Sequence, residues 1–129
     1  MTMSARVLLV EDHPTMRDAM RAILEADGYE VRETGDGTTA LAEIRREPPD
    51  LVLLDLHIPG IAGDELLRVI KGDPATAKVH VVIVTAEGEE GRAPALRKGA
   101  DDYVTKPFGP AALLRTIAQV LGASGSPEA

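Results

Sequence analysis

Residues 51–55 read Leu-Val-Leu-Leu-Asp, a short apolar run that ends on a carboxylate. Two similar apolar runs lie at residues 7–10 and 81–84. A strand that is buried on both faces has no polar side, so such runs are typical of the central strands of a parallel sheet. Two shorter runs of mixed polarity, around residues 30–32 and 103–105, are more typical of edge strands.

Stretches with helical periodicity separate the five runs. In the first and last stretches apolar residues recur at i, i+4, i+7 and i+8, namely Met16, Met20, Ile23, Leu24 and Leu113, Ile117, Val120, Leu121. Shorter helices are expected near residues 38–46 and 64–71. Between residues 88 and 98, Gly91 and Pro94 disfavour a full helix, so we predict a short one with Pro94 in its first turn. The alternation predicts an α/β fold with a doubly wound, five-stranded parallel sheet.

Length, charge and cysteine usage limit the possible functions. The chain has 129 residues, which predicts one domain, residues 5–121, followed by a flexible, linker-like tail, residues 122–129. A net charge of −7 argues against direct binding of nucleic acid, because phosphate neutralisation needs a basic face. We expect no membrane span. The absence of cysteine favours a cytoplasmic setting.

Polar side chains lie at the ends of four predicted strands. Glu11 and Asp12 follow the first strand, Asp55 the third and Lys106 the fifth, and Thr85 ends the fourth. The carboxyl ends of parallel strands meet at one edge of the sheet, where ligands bind. Three carboxylates there repel one another unless a cation lies between them, and Mg²⁺ prefers oxygen ligands. We therefore expect a magnesium site at which Asp55 is the nucleophile that forms an acyl phosphate.

The motifs at these strand ends together resemble the receiver domain of two-component response regulators (CheY-like). They are Glu11-Asp12, Asp-Leu-His-Ile-Pro-Gly at 55–60, Val-Thr-Ala at 84–86 and Gly-Ala-Asp-Asp-Tyr-Val-Thr-Lys-Pro-Phe at 99–108. The resemblance covers residues 5–121. It implies a flavodoxin-like fold, with a five-stranded parallel sheet of order 2-1-3-4-5.

The resemblance also implies how the site takes up a phosphoryl group. Asp55 would accept it from the phosphohistidine of a sensor histidine kinase or a phosphotransfer protein. Glu11, Asp12, Asp55 and the backbone carbonyl of His57 would hold Mg²⁺. The chain would then act as a regulatory phosphoacceptor and not as a turnover enzyme, apart from slow self-dephosphorylation.

Further residues are implied to sense the phosphoryl group. Thr85, the backbone N–H of Ala86 and Lys106 would contact it, and Tyr103 would rotate inward as Thr85 moves. The peptide bond before Pro107 would be cis. The face made by the fourth helix, fifth strand and fifth helix would then change its population of states and signal to a downstream protein effector or a covalently linked output domain. The protein would be a monomer or a phosphorylation-linked dimer.

Two residues are implied to tune how long the acyl phosphate survives. His57 lies two residues after the acceptor, and Glu87 lies two residues after Thr85. Both flank the route by which water could attack, although each could equally be an ordinary rim residue. The weak fourth helix leads us to expect a mobile output face, which amide exchange across residues 87–98 measures.

Other functions have weaker support from the residues. An aspartyl-phosphate phosphatase of the haloacid-dehalogenase type typically has a second aspartate two residues after the nucleophile, where this chain has His57. A phosphorylation-independent interaction domain has no support, because every expected site position is filled. A nucleotide-binding domain would need a glycine-rich loop after the first strand. His13 and His57 would suit a transition-metal site, but we expect His13 to point away from the acids.

Overall fold

The computed structural model describes residues 4–123. Five parallel strands and five α-helices alternate along this part of the chain, with one 3-10 turn before the fourth helix. Their bounds are β1 Arg6–Val10, α1 Pro14–Ala26, β2 Glu30–Thr34, α2 Gly37–Arg46, β3 Leu51–Leu54, α3 Gly63–Gly72, β4 His80–Thr85, the 3-10 turn Glu89–Gly91, α4 Arg92–Arg97, β5 Asp102–Thr105 and α5 Pro110–Ala123.

The strands form one parallel sheet in the order β2-β1-β3-β4-β5. This order confirms the prediction, including the two edge strands of mixed polarity. Every residue of β3 is buried, whereas only Val31 is buried in β2. A central strand is covered on both faces, while an edge strand leaves part of its side chains in solvent, which explains why polarity alone separated the two kinds of strand.

Two apolar cores cover the two faces of the sheet. Leu8 and Val10 point to one face, where α2, α3 and α4 pack, and Val7 and Leu9 point to the other, where α1 and α5 pack. Successive side chains of a strand alternate between faces, so each central strand contributes to both cores. This arrangement fixes the sheet and therefore the relative positions of the strand ends.

The fourth helix begins late, as predicted. Its six residues follow the 3-10 turn directly, and Pro94 is the third residue of the helix. The first turn tolerates proline because its N–H groups have no partner within the helix.

The last helix is longer than the sequence suggested. It continues through Gly122 to Ala123, two residues past the predicted end of the domain at residue 121. Glycine lowers helix propensity by only about 1 kcal/mol, which is too little to end a helix at a fixed residue. The rest of the predicted tail, residues 124–129, lies outside the described residues. None of the helices within residues 4–123 has the length and apolar character needed to cross a membrane.

Candidate functional site

Backbone hydrogen bonds bring the predicted site residues to one edge of the sheet. The N–H of Asp55 donates to the carbonyl of Val10 at 3.1 Å, which places the end of β3 beside Glu11. The N–H of Lys106 donates to the carbonyl of Thr85 at 2.8 Å, which places the end of β5 beside β4. The structure thus brings together residues that lie far apart in the chain.

Lys106 links the two most buried carboxylates of the site. Its ammonium group donates to Oε1 of Glu11 at 2.8 Å and to Oδ2 of Asp55 at 2.9 Å. Glu11 is only 1% exposed and Asp55 5% exposed, so water does little to stabilise their charges. Burial lowers the pKa of Lys106, but its hydrogen bonds to Glu11 and Asp55 outweigh this effect and raise the pKa above its usual value. Lys106 is therefore positively charged at neutral pH.

Asp12 carries the carboxylate oxygen that fits a bound cation. Its Oδ1 is buried, and no described residue makes a hydrogen bond of good geometry to it. Buried polar atoms are normally paired, so such an oxygen next to Glu11 is the kind of position that a hard cation satisfies. Asp12, Asp55 and Glu11 have the oxygen donors that Mg²⁺ prefers, and they fit this ion.

His13 points toward the acids, so the prediction that it points away is wrong. Its Nδ1 lies 3.2 Å from Oε2 of Glu11 and 3.2 Å from Oδ1 of Asp12. The backbone N–H of His13 also donates to Oε2 of Glu11 at 3.3 Å. This local turn, formed before α1 begins, directs the ring back onto the end of β1.

The second oxygen of Asp55 contacts the loop after β3. Oδ1 of Asp55 accepts a hydrogen bond from the N–H of His57 at 2.9 Å. The imidazole of His57 lies at the rim, where its Nε2 is 2.9 Å from Oε2 of Glu87. The two residues expected to flank the route of water are therefore in direct contact with each other across the gap between the β3 and β4 loops.

Thr85 and Ala86 form the β4 side of the site. Thr85 is buried, and its hydroxyl oxygen accepts a hydrogen bond from the N–H of Glu87 at 3.3 Å. The hydroxyl proton is not used in this bond, so it is available to donate to an anion. Ala86 follows at the exposed rim.

Tyr103 has its ring turned into the protein. The residue is 1% exposed, and its hydroxyl donates to the carbonyl of Gly88 at 2.9 Å. Burial, followed by the charges of nearby glutamates, raises the pKa of Tyr103, so the phenol keeps the proton that it donates. The guanidinium of Arg92 lies 5.5 Å from the ring centroid, a distance suited to a cation–π contact. The ring is thus already inward in this structure, and a link between its position and phosphorylation stays a prediction.

The peptide bond between Lys106 and Pro107 is cis, as the resemblance implied. It lies directly after β5, beside the residue whose ammonium group links Glu11 and Asp55.

Two residues that support the site were missed by the sequence analysis. A Cβ on Gly63 would lie 2.5 Å from the carbonyl oxygen of Asp55, so only glycine lets α3 start this close to the acceptor. Arg17 donates to the carbonyl of Glu11 at 2.7 Å and anchors the acidic loop to α1. Neither contact leaves a periodic or motif signal in the sequence, because each depends on how distant segments pack.

A family model described as the response regulator receiver domain matches residues 7–118. The chain belongs to this family. Receiver domains are regulatory signalling modules of two-component systems, and phosphorylation on aspartate is typical of them.

Named relatives and solved structures agree with this membership. The chain is 38% identical over 120 residues to the phosphate regulon transcriptional regulatory protein PhoB of Klebsiella pneumoniae, covering 92% of this chain and 52% of PhoB. A CheY-like receiver domain protein from Methanospirillum hungatei matches with a TM-score of 0.87 at 32% identity, over 95% of this chain and 97% of the other. The receiver domain of the sensor histidine kinase PA1611 from Pseudomonas aeruginosa, solved with magnesium in its active-site cleft, matches with a TM-score of 0.85 at 30% identity, over 93% and 99% of the two chains.

The receiver domain spans about half the length of the first relatives it matches. PhoB is named as a transcriptional regulator. The sequence predicted, from its net negative charge, that nucleic acid is not a direct partner. These relatives do not support that prediction.

Proposed function

We propose that this receiver domain is the phosphoacceptor of a two-component phosphorelay, with Asp55 as the residue that is phosphorylated. The observation that carries the proposal is the position of Asp55, which is buried and shares the ammonium group of Lys106 with the buried Glu11. A carboxylate in this setting is fixed in place and shielded from bulk water. Its reaction partner would be the phosphohistidine of a sensor histidine kinase or of a phosphotransfer protein.

In the proposed reaction one bond forms and one breaks. A carboxylate oxygen of Asp55 forms a bond to phosphorus while the phosphorus–nitrogen bond of the donor histidine breaks. The electron pair of that bond returns to the nitrogen, and the donor, whose other ring nitrogen carries a proton, leaves as neutral imidazole. Glu11, Asp12, Asp55 and the backbone carbonyl of His57 would hold Mg²⁺, which when bound would supply charge neutralisation at the phosphoryl oxygens. The buried Oδ1 of Asp12, which lies 3.2 Å from Nδ1 of His13 without a hydrogen bond of good geometry, supports this role.

Lys106, Thr85 and Ala86 would hold the transferred group. Lys106 contacts Oδ2 of Asp55 and has the charge to steady phosphoryl oxygens next to that atom. Thr85 has a hydroxyl proton to donate, and Ala86 has a backbone N–H at the rim. Together these groups would replace hydrogen bonds that the phosphoryl group makes to water in solution.

The proposed signal then passes to the face formed by α4, β5 and α5. A phosphoryl group adds about −1.5 to −2 charges and three acceptor oxygens, which would draw the Thr85 hydroxyl toward Asp55. Movement of Thr85 weakens its bond from the N–H of Glu87, the residue that precedes the carbonyl holding Tyr103. The segment before α4 therefore links the phosphoryl group to Tyr103.

The partners of the whole protein follow from its relatives as proposals. Since the chain spans about half of PhoB, an output domain joined to the receiver is one recipient of the signal and a separate protein is the other. An output domain that binds DNA would bring nucleic acid to the protein without contacts from the receiver itself.

The test is phosphorylation of the purified chain by a small phosphodonor. Wild-type protein and Asp55→Asn are incubated with MgCl₂ and acetyl phosphate, and their intact masses are measured. We expect the wild type to gain the mass of one phosphoryl group and Asp55→Asn to gain none. When fluoroberyllate replaces acetyl phosphate, the tyrosine fluorescence that reports on Tyr103 should change only in the wild type.

Asp50→Asn is the matched control, because Asp50 lies directly before β3 at the opposite edge of the sheet. This variant should be phosphorylated like the wild type. If the wild type gains no mass, or if Asp55→Asn gains as much as the wild type, the proposed function is wrong.

A further inference from the structure

A groove of about 440 Å³ opens between α3 and α4, next to the loops that follow β3 and β4. Leu56, Leu67 and Ala95 give it an apolar surface. Pockets that enclose a small ligand have volumes of roughly 300–1,000 Å³, so this groove has room for a side chain or two of a partner. The residues that line the groove do not include Asp55, so it is separate from the proposed phosphorylation site.

The groove carries a net negative charge. Asp64, Glu87 and Glu90 line it, and Lys98 is the one cation among the described residues that do so. Three carboxylates against one ammonium group leave an excess of two negative charges, with His57 neutral. Because Lys98 lies 3.9 Å from Asp64, the excess charge belongs to the two glutamates.

Both glutamates have carboxylate oxygens to which no described residue donates a hydrogen bond. Glu87 contacts His57 through Oε2, whereas its Oε1 faces Gly91 and would lie 3.3 Å from a Cβ there. Glu90 has no hydrogen bond or ion pair within residues 4–123 that involves its side chain. Burial, followed by the charges of Glu87 and Glu90, raises the pKa of the nearby Tyr103, which agrees with a negative potential at this end of the groove.

The neighbouring Glu89 differs from Glu90 in both position and pairing. Arg92 donates to Oε1 of Glu89 at 2.8 Å and to Oε2 at 3.2 Å, so the charge of Glu89 is balanced within the protein. Glu89 is also not among the residues that line the groove. The unbalanced charge of the 3-10 turn therefore lies on the side of the groove.

We propose that the groove binds an arginine side chain carried by a short segment of a partner protein, with apolar residues beside the arginine. The aliphatic stem packs on Leu56 and Leu67, and the guanidinium reaches the oxygens of Glu87 and Glu90. A guanidinium has five N–H donors in one plane, so it can bond two carboxylates at once with defined geometry. The inference goes beyond the proposed function, because the groove needs no phosphoryl group to bind arginine.

The test is an NMR titration of the full chain with the blocked peptide acetyl-Leu-Arg-Leu-amide. The control peptide has citrulline, a neutral isostere of arginine, at its centre. We expect the arginine peptide to bind about fivefold more tightly or better, with the largest amide shifts in α3, α4 and the segment before α4. Acetyl-arginine-amide, which has no apolar neighbours, should bind more weakly than the arginine peptide. Equal binding of these two would overturn the choice of a partner segment.

Glu90→Gln removes one of the two unbalanced charges from an exposed residue. It should weaken binding of the arginine peptide about threefold or more and leave binding of the citrulline peptide unchanged. Glu89→Gln is the matched control, since it makes the same change one residue earlier and outside the groove. Salt screens its more distant charge, so it should change the dissociation constant by less than about 1.5-fold at physiological ionic strength.

The inference is wrong if the wild type binds neither peptide, or binds both equally. It is also wrong if Glu89→Gln weakens binding as much as Glu90→Gln does. Asp55→Asn should bind the arginine peptide like the wild type, because Asp55 does not line the groove. Loss of binding in this variant would place the peptide at the phosphorylation site and overturn the inference, whereas a wild type that binds the peptide but is not phosphorylated overturns only the proposed function.

Discussion

Lys106 balances the charge of the acidic cluster. It is the cation that contacts both Glu11 and Asp55, and its removal would leave two buried carboxylates facing each other. Breaking a buried ion pair by removing one partner is costly, so we expect Lys106→Ala to lower the free energy of unfolding by about 3–5 kcal/mol. Added Mg²⁺ should recover more stability in this variant than in the wild type. Urea unfolding with and without MgCl₂ measures both effects.

The stability that the ion pairs of Lys106 contribute should decrease at high pH. Because the pKa of Lys106 is raised in the folded protein, its ion pairs contribute fully below the unfolded value of about 10.4 and are lost as the pH rises through the folded value. Arg45→Ala, which removes an exposed cation of α2, is the control and should change stability by less than about 0.5 kcal/mol. Equal effects of the two substitutions would contradict the role given to Lys106.

His57 and Glu87 are expected to limit the access of water to phosphorylated Asp55. Their side chains meet at 2.9 Å and are 63% and 43% exposed, so the pair contributes less than about 1 kcal/mol to stability. Because Glu87→Gln weakens the contact with His57 and opens the route of water, we expect it to speed loss of the phosphoryl group several-fold. Because the pair contributes little to stability, the unfolding midpoint should not change. The decay of the phosphorylated mass after removal of the phosphodonor measures this rate.

Glu90→Gln controls for the loss of a negative charge from the same segment. Glu90 lies in the 3-10 turn and belongs to the same acidic stretch before α4. It should leave the decay rate unchanged. A decay rate that Glu87→Gln does not alter, or that both variants raise equally, would show that contact with His57 is not what protects the acyl phosphate.

At the scale of elements, the 3-10 turn before α4 is fitted closely to β5. A Cβ on Gly91 would lie 2.2 Å from the hydroxyl oxygen of Tyr103, far inside van der Waals contact. We expect Gly91→Ala to destabilise the protein by about 1–3 kcal/mol and to push the Tyr103 ring toward solvent. Iodide quenching of tyrosine fluorescence measures this exposure, with Tyr29 as the only other tyrosine.

Gly88→Ala is a matched control three residues earlier. A Cβ there would meet the carboxylate end of Glu90 at 2.5 Å, and a flexible side chain can move away. The same Gly-to-Ala change should therefore have a small effect on stability and on quenching. If Gly88→Ala exposes Tyr103 as much as Gly91→Ala does, the loss of glycine flexibility is responsible and not the contact with the ring.

The same segment shows how far an element could be predicted from sequence. Gly91 and Pro94 predicted a short, late α4 because their effects on a helix are local. The contact of Gly91 with Tyr103 could not be predicted, since it depends on how α4 packs against β5. The five strands, and which of them lie at the edges, were predictable for a related reason, because the polarity of each run reports how many of its faces are covered. Their order was predicted from the resemblance to receiver domains.

The candidate site also contains residues that could be predicted from the sequence and residues that could not. Glu11, Asp12, Asp55, Thr85 and Lys106 were predictable because strand ends of a parallel sheet must converge at one edge. The direction of the His13 ring was predicted wrongly, since it is set by hydrogen bonds with Glu11 and not by the start of α1. Gly63 was missed because its role is to leave space beside Asp55.

At the scale of the whole molecule, Asp101 links three elements at the edge of the sheet opposite the site. Its Oδ2 accepts from the N–H of Val81 at 2.7 Å and from Lys71 of α3 at 3.1 Å, and its Oδ1 lies 3.3 Å from Nδ1 of His80. Burial raises the pKa of Asp101, but these hydrogen bonds outweigh it and lower the pKa below its usual value. One carboxylate thus joins α3, β4 and the residue just before β5.

Asp101→Asn tests this link through acid stability. A lowered folded pKa contributes stability that is present above the unfolded value of about 3.9 and is lost as the pH falls through the folded value. We expect the variant to be less stable than the wild type by about 1–3 kcal/mol at pH 7, with the difference shrinking below about pH 4. Urea unfolding across this range measures it, and Asp18→Asn, on the exposed face of α1, should follow the wild type throughout. A difference that stays constant with pH would mean that the charge of Asp101 is not what holds the three elements together.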